Sequence, residues 1–348
     1  MSAGTRLMDR WLGESSRIRV VDEASVALVR EEVRRQGRAL GLPNATTGAA
    51  VNVASELGYN QLAHARSGEM TIRRIERERV VGLEVVAADR GPGMASPIKA
   101  LKGGARTFET ARTGASLGVG LQAVLELSDE TDFDVRMGEG TCVWARKFAT
   151  SVPHRRAQIG VYGRPCPEET MSGDDALFLR REDELLLAIA DGLGHGTPAR
   201  EASETAMEAV ASSSDDSPDR MLMRCHEALG QTRGAVMSVV CIHERHRVAA
   251  VGCAGNTSVH VYGTGAARRF SGASFVLGAP GRAPKILYEE HPLAPHDAVV
   301  LFTDGLTTKT DLQGELDLVL REHPIGIAEE LVRRFARPND DALVLVAR

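Results

Sequence analysis

Four short stretches in the second half of the chain share one construction, an aspartate set at the end of an apolar run. They are SGDDALFL, LLLAIADGLGHG, VVLFTDGLTT and NDDALVLVA, which carry Asp174 and Asp175, Asp191, Asp304, and Asp340 and Asp341. Short apolar runs rich in Val, Leu, Ile and Ala, bounded by Gly, Asp and Pro, read as buried strands. A fold that pairs such strands in one sheet system brings their ends together, however far apart they lie in sequence. Gathered carboxylates repel one another and are costly to bury without cations. The pattern therefore constrains fold and chemistry together, to a sheet system with an acidic end that holds metal. With oxygen ligands and no matching Cys or His set, the expected ions are hard, Mg²⁺ or Mn²⁺. Two such ions lower the pKa of a bridging water and clamp a phosphoryl oxygen, the requirements of phosphate-ester hydrolysis. Any single Asp-Gly or Asp-Asp pair marks an ordinary turn. Recurrence at four strand ends is what points to a site.

At 348 residues the chain exceeds one typical core and is expected to form two domains. The polar, proline-containing segment ATSVPHRRAQ at 149–158 supplies the boundary, giving domains at 1–150 and 151–348. A net charge of -5 gives no electrostatic reason to expect a nucleic-acid partner. No apolar run approaches the roughly 18 residues of a membrane span, and the start MSAGTRLMDRWLGESS lacks a secretory apolar segment. A cytoplasmic protein with no membrane association is expected. The five cysteines are scattered without a CxxC pair, so neither a disulfide framework nor a cysteine zinc site is indicated. His243 and His246 in HERH sit in an expected polar hairpin without a third ligand and read as surface residues.

In the first half, RIRVV at 17–21 reads as a strand, followed by the helical pattern ASVALVREEVRRQGRALG and a second helical run from Thr46 to Ala65. Strands MTIRRI and VVGLEVVAAD come next, then a helix from about Ser116 to Leu127 and a hairpin of TDFDVRM and TCVWARKF. Glu56 and Asn60 lie four apart on one helix face, and a carboxylate with an amide oxygen suits a magnesium ion that also holds phosphates. Taken alone, such a pair is usually a solvated face. The strand LEVVAAD ends in Asp89, and in DRGPG the glycines Gly91 and Gly93 admit a flat ring while an ionised Asp89 accepts from an exocyclic amine such as adenine's. An ordinary strand-ending turn explains the glycines and proline but not the acid. TGASLGVGLQAV at 113–124 runs a glycine loop into a helix, offering N–H groups to phosphates, with Lys99, Lys102, Arg106 and Arg112 adding positive charge.

In that order and spacing, ASELGYN, DRGPGM and GASLGVGL resemble the N-box and two glycine boxes of the GHKL-type ATP-binding fold. With the closing GTCVWARKF, residues 17–148 look most like the RsbT-type switch kinases, small serine/threonine kinases. The resemblance implies an α/β sandwich that takes ATP and Mg²⁺. Asn60 would hold the magnesium, Glu56 would be the base or water-orienting acid, and Asp89 would read adenine beside Thr141. Gly91, Gly93, Gly118 and Gly120 would line the nucleotide. Tyr59 departs from the Arg this group often carries before its Asn.

SGDDA, IADGLGHG, LFTDGL and NDDALVLV, in this order across 157–347, resemble the protein phosphatase 2C or PPM superfamily, in the branch of SpoIIE, RsbU and the compact RsbX. That resemblance implies an αββα sandwich in which Asp191, the Gly192 carbonyl, Asp304 and Asp340 hold two Mg²⁺ or Mn²⁺ ions, with Asp174 nearby. Which of Asp174 and Asp175, and which of Asp340 and Asp341, is the ligand stays open; Asp174 and Asp340 are taken here. Together the two resemblances imply a two-domain α/β chain of the α+β kind. It would phosphorylate and dephosphorylate Ser/Thr on a STAS-domain antagonist or scaffold in a partner-switching pathway of the stressosome kind. The alternative is a phosphatase alone, with the first half a nucleotide-responsive STAS-binding module.

Overall fold

The computed structural model describes residues 3–103, 120–152, 156–263, 267–307, 310 and 316–348. Gly118, Arg106 and Arg112, expected near phosphates, lie outside the described residues. The chain divides into two compact units, Met1–Gln158 and Ile159–Arg348.

The first unit runs α1 (Ala3–Leu12), β1 (Ile18–Val20), α2 (Glu23–Ala39), α3 (Asn44–Asn60), β2 (Gly68–Arg77), β3 (Val80–Asp89), α4 (Pro97–Leu101), α5 (Gly120–Leu127), β4 (Glu130–Arg136) and β5 (Gly140–Phe148). Its strands lie in the order β1-β2-β3-β5-β4, each pair antiparallel. Helix α2 starts where Asp22 accepts from Ser25 N at 2.8 Å while Ser25 Oγ accepts from Asp22 N at 3.0 Å, a reciprocal cap that satisfies two otherwise orphaned donors. α3 packs on α2, α5, β3 and β5. By strand alternation, Leu83, Val85, Ala87 and Asp89 of β3 share one face and Glu84, Val86 and Ala88 the other. The Glu84 face carries an ionic ladder, Arg146 donating to Glu84 at 2.8 Å and to Asp132 at 2.7 Å. There α1 seats Trp11, whose indole donates to Asp134 at 2.9 Å. The expected second helix ends earlier than its periodicity suggests: after Asn60 the chain widens into a π-helical turn, Gln61–Ala65, closed by Arg66 in the left-handed region at φ 66°.

The second unit runs β6 (Ile159–Arg164), β7 (Asp174–Arg181), β8 (Glu184–Gly192), α6 (Thr197–Ser212), α7 (Pro218–Ala228), β9 (Ala235–His243), β10 (Val248–Ala254), β11 (Ser258–Tyr262), β12 (Arg268–Ser271), β13 (Leu287–Pro292), β14 (Ala298–Phe302), α8 (Leu316–Arg321), α9 (Pro324–Phe335) and β15 (Ala342–Ala347). Two antiparallel sheets form, β6-β15-β14-β11-β12 and β13-β10-β9-β8-β7. α6 and α7 cover the second sheet and α9 covers the first, giving αββα layers. The run LLLAIA is β8, and it is continuous in apolarity because both its faces are buried. Leu186, Ala188 and Ala190 meet Ala202, Ala206, Met207 and Val210 of α6, together with Met221 and Leu222 of α7. The alternating Leu185, Leu187 and Ile189 are fully buried on the other face. Among the described residues no helix is long and apolar enough to cross a membrane.

Candidate active sites

In the first unit the candidate residues come from a helix end and two strand ends. Glu56 is buried in the last turn of α3, and Asn60 closes the helix half-buried. Asp89 ends β3 opposite Thr141 of β5, on the face of β3 that also carries Leu83, Val85 and Ala87. Burial pushes the Asp89 carboxyl up to about 6, although hydrogen bonds from the backbone of Gly91 and Thr141 favour its charged form. The Gly91 N–H donates to it at 2.8 Å. Gly93, at φ 78°, lies against the backbone of Arg136, and Gly120 opens α5 at φ 54°. Glu56 and Asn60 offer only hard oxygens and an amide, a donor set that fits magnesium.

In the second unit the register of β7 on β8 pairs Asp174 directly with Asp191, placing both carboxylates on one face. Asp191 also faces Asp304 closely enough to be raised by it, and Asp304 follows the end of β14. Burial, then the charges of Asp174 and Asp304, hold the Asp191 carboxyl well above the ordinary carboxylate range. Asp174 is raised in the same direction by burial and by Asp341, Asp304 and Asp340, against a hydrogen bond from Thr303. Asp340, more open to solvent, is raised by its own partial burial and then by Asp304 and Asp341. The members of the two adjacent pairs differ in their hydrogen-bond partners. Asp341 is buried with Oδ1 accepting from Cys166 N at 2.7 Å and Oδ2 from Gly173 N at 2.8 Å, so it ties down the SGD turn. Asp175 accepts from the N–H of Ala176 at 2.8 Å. Two glycines allow the corners to close: a Cβ on Gly192 would overlap the Ala199 carbonyl of α6, and one on Gly305 would overlap the Asp341 carbonyl.

Residues 181–348 match the family model described as stage II sporulation protein E (SpoIIE), and residues 20–147 match the histidine kinase-like ATPase domain. The chain joins a histidine kinase-like ATPase domain to a SpoIIE-type phosphatase domain. The ATPase-like domain is 28% identical over 137 residues to the serine/threonine-protein kinase RsbT of Bacillus subtilis (strain 168), covering 39% of this chain and 98% of that relative. The SpoIIE-type domain is 34% identical over 74 residues to the phosphoserine phosphatase RsbX of the same organism, covering 21% of this chain and only 37% of RsbX. A solved chain described under the bacterial stressosome, a modular system adapted to control secondary messenger signalling, superposes with a TM-score of 0.52 at 26% identity. It covers 56% of this chain and 100% of its own length.

Within the SpoIIE-type domain, the fit to metal rests on charge rather than on a preformed shell. Among the described residues no group of three His, Cys, Asp or Glu side chains already stands around one point. The carboxylates nevertheless raise one another, an uncompensated negative charge that divalent cations would neutralise. Two neighbours of the acids escape the sequence reading: Thr303 Oγ1 donates to Asp174 at 2.6 Å and Asn256 donates to Asp304 at 2.5 Å. The exposed Arg233 guanidinium lies by Gly194, in the turn after Asp191. Thr303 directly precedes Asp304 in FTDG, a signal available in the motif itself; Asn256 and Arg233 lie in turns of ordinary composition. His195 Nδ1 lies 2.7 Å from the Glu169 carboxylate, which can accept from it, and the ring is exposed. His243 and His246 lie with ring centroids 4.1 Å apart and planes tilted by 49° at the β9–β10 turn.

Proposed function

We propose that the chain writes and erases one phosphoryl mark: its ATPase-like domain phosphorylates Ser/Thr on a STAS-domain partner, and its SpoIIE-type domain removes that phosphate. The observation that carries the reading is the acid cluster, built from four separate strand ends and electrostatically incomplete as it stands. In it Asp191, the Gly192 carbonyl, Asp304 and Asp340 would hold two Mg²⁺ or Mn²⁺ ions, with Asp174 beside them. When bound, the cations lower the pKa of water and neutralise phosphoryl oxygens. The protein's own part is orientation: Asp341 fixes the SGD turn, Thr303 fixes Asp174, and Asn256 fixes Asp304.

In the ATPase-like domain, Asp89 and the neighbourhood of Thr141 would read adenine, and Asn60 would hold Mg²⁺ against the phosphates. Glu56 would accept the proton of the attacking hydroxyl. Catalysis of this kind is mostly positioning and charge stabilisation. A second reading, in which this domain binds a STAS partner and nucleotide without transferring phosphate, is favoured by Tyr59 beside Asn60. Incubating the chain with a STAS protein from the same cell, with and without ATP and Mn²⁺, separates them by mass spectrometry. Phosphate should appear on the partner with ATP and disappear with Mn²⁺ once ATP is removed. No transfer from ATP, with Mn²⁺-dependent removal intact, would select the second reading.

A further inference from the structure

Gln61 follows Asn60 and has no role in the site as read from sequence, yet it is 3% exposed and tied to the strand end that carries Asp89. Its Nε2 donates to the Ala88 carbonyl at 3.0 Å and to the Glu69 carbonyl at 3.3 Å. Its Oε1 is buried and has no hydrogen-bond partner among the described residues. A Leu or Met would fill the same space without that orphaned acceptor, so packing alone does not account for an amide here. The space exists only because Gly68 lacks a side chain: a Cβ there would overlap the Gln61 amide. The other end of the π-helical turn is also pinned, since a Cβ on Gly91 would crowd Ala65 and the Asp89 carboxylate, at 2.8 and 2.9 Å. The turn is therefore held on both sides of Asp89, at Ala88 through Gln61 and at Gly91 through Ala65. Single π turns of this sort recur at functional sites.

We infer that Gln61 is a positioning residue that latches the helix end bearing Asn60 to the strand end bearing Asp89, so that the metal and adenine ends of the nucleotide site keep one spacing. This rests on the nucleotide-site reading of Asn60 and Asp89. Asp89 and Thr141 are held by the β3–β5 ladder without help from Gln61, whereas Asn60 lies at the start of the latched turn. Loss of the latch should accordingly leave base recognition intact and weaken the gain that Mg²⁺ brings.

The test is calorimetric titration of the full chain with ATP, in EDTA and in MgCl₂. Wild type should bind more tightly with Mg²⁺. Gln61→Met should keep its affinity in EDTA within about twofold and lose about tenfold of the Mg²⁺-dependent gain, the usual scale for outer-sphere partners of a metal ligand. Gly68→Ala, whose Cβ displaces the amide but also stands opposite Asp89 across the β2–β3 ladder, should lose the same Mg²⁺-dependent gain, with circular dichroism showing that the fold is kept. A full Mg²⁺ gain in Gln61→Met and in a folded Gly68→Ala, or equal weakening of Gln61→Met in both media, would overturn the latch. A wild type that binds no nucleotide in either medium would instead overturn the reading of the site itself.

Discussion

Both candidate sites place carboxylates at the ends of strands, and the two differ in what lifts those acids out of their ordinary range. Asp89 in the first unit is raised to about 6 by burial, and its hydrogen bonds come from backbone N–H groups. In the second unit Asp191 is raised by burial and by Asp174 and Asp304, and Asp174 by burial and by Asp341, Asp304 and Asp340. A lone buried carboxylate with backbone donors is a stable acceptor, suited to reading a neutral polar group. Carboxylates that raise one another are an unfinished electrostatic arrangement, suited to cations. The same residue type at the same kind of position thus serves two chemistries, and its neighbours decide which.

The strongest way to break this contrast is to remove one acid from the cluster. Asp304→Ala should lower Mn²⁺-dependent hydrolysis of a phosphoserine protein by more than about a hundredfold, beyond the range for outer-sphere partners, and leave phosphotransfer from ATP intact. Asn60→Ala should do the reverse, abolishing ATP-dependent labelling while sparing hydrolysis. Full phosphatase activity in Asp304→Ala would remove the metal assignment, and unchanged labelling in Asn60→Ala would remove the magnesium role of that residue.

The strands that carry the acids were legible because each is an apolar run ending in Asp, and β7, β8, β14 and β15 follow those runs. What brings them together was not legible in any single motif. The pairing of Asp174 with Asp191 depends on register, and the contrast between Asp340 and Asp341 on the backbone amides that point at Asp341. Sequence reading passed over α1, whose apolar residues reveal their face only when Trp11 finds Asp134 far along the chain. It also passed over β6, β12 and β13, whose glycines and charged residues, IGVYGR, RRFS and LYEEHP, break the apolar run that marks the other strands. The π turn after Asn60 escaped for a related reason. Helical periodicity runs through Gln61–Ala65, and only the long-range bonds of Gln61 to Ala88 and Glu69 mark the departure.

A smaller effect tests the isolated character of Asp89. The ionised carboxylate is the form that accepts from an amine, so affinity for ATP should fall as pH drops through about 6. Stability of the nucleotide-free fold should move the opposite way. Between about 4, the unfolded value, and about 6, the folded state holds a proton the unfolded state has released, so this group's contribution declines as pH rises through that window. Asp89→Asn should flatten both trends, read by calorimetry for binding and by thermal unfolding for stability. A pH-independent affinity in wild type would show that Asp89 does not read the base in its charged form.

The finest distinction concerns a hydroxyl rather than an acid. Thr303 Oγ1 donates to Asp174 at 2.6 Å and accepts from the Leu343 N–H at 3.1 Å, so one side chain joins the end of β14, the start of β15 and the first residue of β7. Among the influences on Asp174, this donation favours the charged form. Thr303→Val keeps the volume and removes both bonds, leaving Asp174 easier to protonate and less well aimed. The expected result is a rise of about tenfold in the Mn²⁺ concentration needed for half-maximal hydrolysis, with ATP-dependent labelling unchanged. Thr303→Ser retains the hydroxyl and should restore the Mn²⁺ response. Because a buried N–H and a buried carboxylate both lose a partner, Thr303→Val should also cost about 1–3 kcal/mol of stability. Comparing Val with Ser at saturating Mn²⁺ separates that loss from the metal effect. If Val matches wild type across the whole Mn²⁺ titration, the hydroxyl supports the fold alone, and the orientation of Asp174 must come from β7 and its pairing with β8.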